Sequence, residues 1–384
     1  MNDKSGLLIT TLRKPEYQVR STMKRIISIT LCALLLIFCS APAFAVNEDV
    51  TGELVIYTSM YQFAIKDMDE ALKKEFPNLT PGNNGSFFFY GGSSDLITRI
   101  YGQMENNQLD CDMLLVAEPS FALELKERGY LEPVMIENAE NRFRFPYDKD
   151  GYWYPVRVCN MVLAFNPEKE AYWQAKGVNI PRSFKDFAND KSLDGYISMG
   201  NPMTSGTAFA AVSSLTQNDP DHYGPAYLDA LAANHVAVTS GSVAIAKLQD
   251  SECAAIMILE ESVFKYISDE RAKGNEVKNI KCIYPDDGVI LIPSPVMTIA
   301  EQYSLNANIE ACEAVENWLM TDEAQKVIVS AFMHSPIANF AQVPDGSLPT
   351  DELIRKDKGV DWENAYQNRE SIKTMWTEKI TTAK

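Results

Sequence analysis

From Glu53 onward the chain alternates short, unbroken apolar runs with amphipathic stretches. Glu53–Thr58 (ELVIYT) predicts a strand, followed by a helix over 62–75. Ser86–Tyr90 (SFFFY) predicts a second strand, and its helix over 95–106 carries Leu96, Ile97, Ile100 and Met104 on one stripe. Asp112–Ala117 (DMLLVA) is a third, followed by a helix from Ser120 to Arg128. Strands that are apolar at every position, rather than at every second one, belong to sheets covered on both faces. Three such strand–helix units in succession predict a parallel, doubly wound sheet.

A second series follows. Asn160–Phe165 (NMVLAF) and Ala254–Leu259 (AAIMIL) predict strands, with shorter ones near Ile280–Tyr284 and Val289–Ile292. Helices are expected over 183–190, 206–216, 223–233, 242–249 and 260–273, then over 308–320 and 322–332, with a polar tail at the end. No low-complexity linker separates the two series, so strands themselves must cross between lobes. The candidates are the segments near 156–166 and 289–299, and a paired crossing of that kind makes a hinge. The expected organisation is an α/β protein of two lobes, one from 46–157 with 298–384 and the other from 158–297.

The first 45 residues fall outside this pattern. Lys24-Arg25, an apolar run from Ile26 to Phe38, and Ala43-Phe44-Ala45 are the basic start, short core and small-x-small end of a cleavable signal peptide. The run is too short to span a bilayer comfortably. Cys39 follows the bulky Phe38, which disfavours lipid attachment. Met23 begins a conventional signal by itself, so the true start is a candidate at that position. The formal charge is −17, and the leader removes more basic than acidic residues, leaving an acidic surface unsuited to nucleic acid or anionic membranes. Five cysteines remain: Cys111, Cys159, Cys253, Cys282 and Cys312. Without a Cys-x-x-Cys or Cys/His cluster a zinc site is not expected. Cys253 and Cys282 could pair or stay as two buried thiols.

Ligands of parallel α/β sheets collect beyond the carboxyl ends of the strands, where helix N-termini present free N–H groups. Small polar residues stand at several such ends here. Thr58-Ser59, with Tyr61 shortly after, follows the first strand; Gly92-Ser93-Ser94 follows the second; Ser205-Gly206-Thr207 and Ser240-Gly241-Ser242 open later helices. Glycine admits an anion close to the backbone and hydroxyls add donors, which makes Ser205-Gly206-Thr207 the best anion cradle. A set of acids accompanies them: Glu118 at the end of the third strand, Glu260-Glu261 where a strand meets a helix, and Asp286-Asp287 in a loop. Across from the cradle, such carboxylates suit hydroxyls or an ammonium on an organic anion. Tyr152-Trp153-Tyr154 could wall a cleft or pack a hinge, and Arg157 could meet an anion or partner the acids. No nucleophile with its base is visible, nor any nucleotide-binding glycine motif, so no catalytic residue and no cofactor are expected.

These pieces resemble a known family, the bacterial periplasmic solute-binding proteins grouped with ferric-ion, 2-aminoethylphosphonate and sugar-phosphate importers. Leu54–Ser59 is similar to the family's opening strand and polar turn, and Asp112–Glu118 to its third strand with a terminal glutamate. Pro202–Ala208 is similar to its Ser-Gly anion loop, Ser242-Val243-Ala244 to the next helix start, and Ala254–Met257 to the strand before its metal-binding tyrosine pair. The resemblance implies a type II periplasmic binding protein, monomeric, serving an inner-membrane ABC permease and its ATPase. It departs where ferric-ion binders place two adjacent tyrosines, since Glu260-Glu261 stand there, and near their first-loop histidine, where Met60-Tyr61 stand. The expected ligand is therefore a small phosphorylated or phosphonate organic anion. Ferric iron on Tyr61, Glu118, Glu260 and Glu261 is the alternative, and an exported enzyme or sensory module on the same fold is the non-transport one.

Overall fold

A computed structural model describes residues 47–217 and 223–381, so the signal-peptide segment lies outside the described residues. Among the described residues twelve strands are numbered in chain order. β1 (Gly52–Leu54) and β3 (Leu79–Pro81) form a small parallel pair of their own. The main sheet runs β4 (Phe88–Tyr90), β2 (Ile56–Thr58), β5 (Met113–Leu115), β12 (Ile290–Ile299), β7 (Tyr154–Phe165), β10 (Ala255–Leu259), β8 (Ile197–Met199), β9 (Ala237–Val238). Two short strands join its middle: β6 (Leu131–Glu132) pairs with β12, and β11 (Lys281–Ile283) with β7. Within each wing the neighbours are parallel, β4-β2-β5 on one side and β10-β8-β9 on the other. Between the wings, β7 and β12 run antiparallel from Ile290 opposite Met161 to Val296 opposite Tyr154, with a register shift at Ser294/Pro295. These two long strands are the expected crossing pair.

The opening run splits where one strand was expected. Val55 gives its N–H to the Asp112 carboxylate at 2.8 Å, and its carbonyl accepts from the N–H groups of Asp112 and Met113. Residue 55 is thereby taken out of any ladder, and β1 leaves the main sheet.

Both faces of each wing are covered, and the strand alternation sorts residues between them. In the first wing, Ile56, Met113 and Leu115 pack in one cluster with Ala64, Met68 and Leu72 of α1 (Gln62–Glu75). Tyr57, Leu114 and Val116 face the other way. They meet Leu96, Ile97 and Ile100 of α2 (Ser93–Met104) and Phe121 and Leu125 of α3 (Pro119–Glu127). In the second wing, Ile197, Met257 and Met161 share a cluster with Phe209 and Val212 of α4 (Gly206–Thr216). On its opposite face, Ile256 and Ile258 pack on Ala244 and Leu248 of α5 (Gly241–Gln249) and Val263 of α6 (Glu260–Ala272). Burying each of the Leu, Ile, Val, Met and Phe side chains among them contributes about 1.5–3 kcal/mol.

The segment expected as a polar tail is helical. After α7 (Ile309–Leu319) and α8 (Asp322–Ser330) come α9 (Thr350–Lys356), α10 (Trp362–Gln367) and α11 (Arg369–Trp376). Ala365, Ile372, Trp376 and Ile380 sit in the second wing's core, although 298–384 was expected with the first lobe. Four apolar side chains spread over sixteen polar-looking positions gave too weak a periodicity to read. Cys253 and Cys282 are both free thiols.

Candidate functional site

Four helices point their N-termini into one cavity of about 480 Å³ between the wings. From the first wing, Ser59, Tyr61, Gly92 and Ser93 line it; from the second, Thr204, Ser205, Thr207, Ser240 and Gly241. Tyr61, Gly92 and Ser240 are the N-cap residues of α1, α2 and α5, and none caps its helix with a side chain. Apart from Ala64 N, which donates to the Tyr61 carbonyl at 2.9 Å, the first-turn N–H groups of those helices therefore keep their hydrogen-bonding capacity and their partial positive charge. Of these four helices, α4 alone has a side-chain cap, where Ser205 Oγ accepts from Ala208 N at 3.3 Å while lying 3.1 Å from Thr207 Oγ1. Uncapped helix ends converging on a common space form an anion receptor.

Arg157, on the crossing strand β7, lies at the floor of this cavity and is 2 % exposed. It forms no ion pair among the described residues; Nη1 donates to the Met333 thioether at 2.9 Å, and Nε has no partner. Glu261 senses its charge without closing an ion pair, so the buried guanidinium is incompletely compensated, and an incoming anion would relieve that cost. The sequence signal was a single charged residue inside the apolar run Tyr154–Phe165.

The acids take other roles. Glu118 is buried, with Oε1 3.1 Å from Arg369 Nε in α11 and Ser120 Oγ donating to it at 3.3 Å. Burial raises its carboxyl, opposed by Arg369 and Lys373. Glu260 is enclosed in a network: it accepts from Asn160 Nδ2 at 3.1 Å, from Ser347 Oγ at 2.7 Å and from the Tyr284 hydroxyl, and meets His334 Nε2 at 2.9 Å. Burial by itself would raise its carboxyl, but His334, Tyr284 and Ser347 hold it below the usual range. Glu261 is 1 % exposed, its Oε1 has no partner, and burial pushes its carboxyl to about 7, partly offset by the Cys159 thiol and Arg157.

The expected ligand residues thus divide. Ser59, Tyr61, Gly92, Ser93, Ser205 and Thr207 line the cavity. Gly206 lies just behind it, where a Cβ would stand 2.9 Å from Ser93 Cβ and 3.0 Å from Glu118 Oε2. Ser242 lines an adjoining open chamber of about 740 Å³, which shares Tyr61, Tyr90, Ser240 and Gly241 with the first. Thr58 is structural, donating to the Leu115 carbonyl and accepting from Met60 N, and Ser94 is buried in α2. Glu118, Glu260 and Glu261 stand outside the lining, because each carboxylate is enclosed by the protein. The Tyr152–Tyr154 aromatics pack the hinge: Trp153 is in a core cluster and Tyr154 stacks on Phe143 and Tyr147. Asp287 accepts from the Phe184 and Lys185 N–H groups, away from the cavity. Tyr61 keeps its phenol proton, since burial and Glu261 raise its pKa, and its hydroxyl lies 2.8 Å from Ser262 Oγ. Sequence reasoning missed Tyr90 and Thr239 in the lining and Arg369 behind Glu118.

A sheet crossed by two strands, with helix N-termini meeting over the crossing, defines a two-lobed binding protein of the type II periplasmic architecture. The chain belongs to the bacterial extracellular solute-binding protein family, whose model matches residues 111–368. Solved structures share the fold at low identity. The periplasmic binding protein P5PA is 17% identical with a TM-score of 0.67, covering 86% of this chain and 99% of its own. AfuA from Actinobacillus pleuropneumoniae, described with exogenous fructose-6-phosphate bound, matches with the same four values. Iron-bound HitA from Pseudomonas aeruginosa is 17% identical with a TM-score of 0.68, covering 84% and 98%. An uncharacterized Haemophilus influenzae protein is 22% identical over 192 residues, 49% of this chain and 53% of that protein. The match thus spans about half the length of that curated relative. Among the described residues no helix is long and apolar enough to cross a membrane.

Proposed function

We propose that this protein is the periplasmic solute-binding component of an ABC importer that captures a small organic phosphate or phosphonate, and that it is exported by its signal peptide. A monomer closes on the ligand and presents it to an inner-membrane permease coupled to its ATPase. The observation that carries the ligand class is Arg157, a buried guanidinium in ion-pair contact with no carboxylate among the described residues, beneath three helix N-termini without side-chain caps. A phosphoryl group supplies two or three oxygens to such donors, and charge-assisted hydrogen bonds are the strong ones. The organic body would extend into the adjoining chamber past Tyr61 and Tyr90, the latter 46 % exposed.

The ferric reading would bring Tyr61, Glu118, Glu260 and Glu261 into one shell. Among the described residues no three His, Cys, Asp or Glu side chains are grouped to hold a metal. Calorimetric titration with fructose 6-phosphate, 2-aminoethylphosphonate, inorganic phosphate and ferric citrate separates the two. The expected result is binding of at least one organic anion, weakened about 100-fold in Arg157→Met with the circular dichroism unchanged. Binding of ferric salt alone, with a visible charge-transfer band, would sink the organic-anion reading.

A further inference from the structure

The carboxylate of Glu118 has two oxygens in different surroundings. Oε1 faces Ser120 and Arg369, whereas Oε2 reaches within 3.0 Å of where a Cβ on Gly206 would stand. Ser93 occupies the same junction, its Oγ 3.0 Å from that point. A buried carboxylate therefore abuts the first turns of α2 and α4, two of the helix ends that open on the cavity. Unneutralised, it would repel an anion arriving at those N-termini and would compete for the same N–H groups.

Arg369 answers this charge. Its Nε stands 3.1 Å from Glu118 in a contact too bent for a hydrogen bond, so the pair is held by charge. The guanidinium is fixed in place by three other groups. It pairs with Glu124 through Nη1, donates to the Tyr101 hydroxyl at 2.9 Å, and donates to Ser120 Oγ at 3.2 Å. Its helix is anchored elsewhere: Ile372 and Trp376 of α11 lie in the second wing's core, and Lys373 stands over the Phe209 ring of α4. The arginine thus reaches from a helix seated on one wing to acids carried by the other.

We propose that Arg369 is a positioning residue for the anion site, neutralising Glu118 so that the helix ends beside it stay open to ligand. Glu118 is then a guarded neighbour of the ligand and not one of its contacts. This rests on the anion reading given above.

The test is a double-mutant cycle read by titration with fructose 6-phosphate and inorganic phosphate. R369Q should weaken binding about tenfold or more, E118Q should bind as well as the unmutated protein or tighter, and E118Q/R369Q should recover to within about threefold of it. Titrations are made well below each variant's thermal midpoint, so that affinity is read on folded protein; a merely structural ion pair would shift and recover the midpoint and leave that affinity unchanged. Equal affinity in R369Q, or a double variant no better than R369Q, overturns the inference while leaving the anion reading standing. If the unmutated protein binds neither probe, the anion reading itself fails, and this inference with it. Should R369Q not fold, E118Q decides alone: a tenfold loss there makes Glu118 a ligand contact and ends the proposal.

Discussion

Glu261, beside the floor of the cavity, is held far from the ordinary chemistry of its side chain. An exposed glutamate ionises near 4.5, but enclosure raises this carboxyl to about 7. Around it stand Arg157 and Cys159 on β7, Glu260 on its own helix, Tyr61 at the start of α1, and Cys282 on β11. Because the folded pKa is the higher one, the folded state holds the proton more tightly. That contribution is complete below pH 4.5 and disappears as pH rises through 7. Glu261→Gln should therefore match the unmutated protein near pH 4.5 and exceed its stability at pH 8 by on the order of 2–3 kcal/mol. Urea midpoints measured across that range check it, and parallel curves for the two proteins would refute the assignment.

At the scale of elements, the site is made by where helices begin. α2 and α4 come from different wings and touch through Gly206, which has room for a hydrogen and nothing more. A methyl there would press on Ser93 Cβ at 2.9 Å, part of an ordered helix start that cannot swing aside. Gly206→Ala should weaken anion binding about tenfold and Gly206→Arg should abolish it, with helix content unchanged by circular dichroism. Full affinity in the arginine variant would place the ligand elsewhere. The cap at Ser205 adds a local term; Ser205→Ala should cost about 1 kcal/mol of stability in thermal unfolding besides any loss of binding.

Across the whole molecule, the crossing strand β7 is tied to the last third of the chain by the Glu260 network. Asn160 belongs to β7, Tyr284 follows β11, and His334 pairs its backbone with Val158 across a 2.8 Å hydrogen bond. Truncating Glu260 to alanine would leave those buried groups unpartnered, a loss of about 3–5 kcal/mol and several degrees in Tm by calorimetry. An unshifted Tm would show that the network is not what secures the hinge. The same third of the chain was the least legible. Residues 350–380 read as polar because their anchors, Leu353, Ile372 and Trp376, are separated by charged turns. Residue 55 misled for another reason: its strand-like neighbours say nothing of a side chain fifty-seven positions away that captures its N–H.

The apolar runs by themselves determined two α/β wings and the pair of strands that joins them. A residue's place on a covered sheet depends on its own neighbours in the chain, and that information is local. The same holds for glycines and hydroxyls at strand ends, which marked Ser93 and Ser205 as facing one space. Which charges belong to that space was decided only by the folded chain. Glu118, Glu260 and Glu261 looked like contacts because carboxylates at strand ends usually meet solvent or ligand. Folding enclosed all three, pairing Glu118 with Arg369 and Glu260 with His334, while Arg157 was left with a sulfur and an empty direction. The energy of a buried charge depends on its distance to the opposite charge, and that distance is set by tertiary packing rather than by sequence separation.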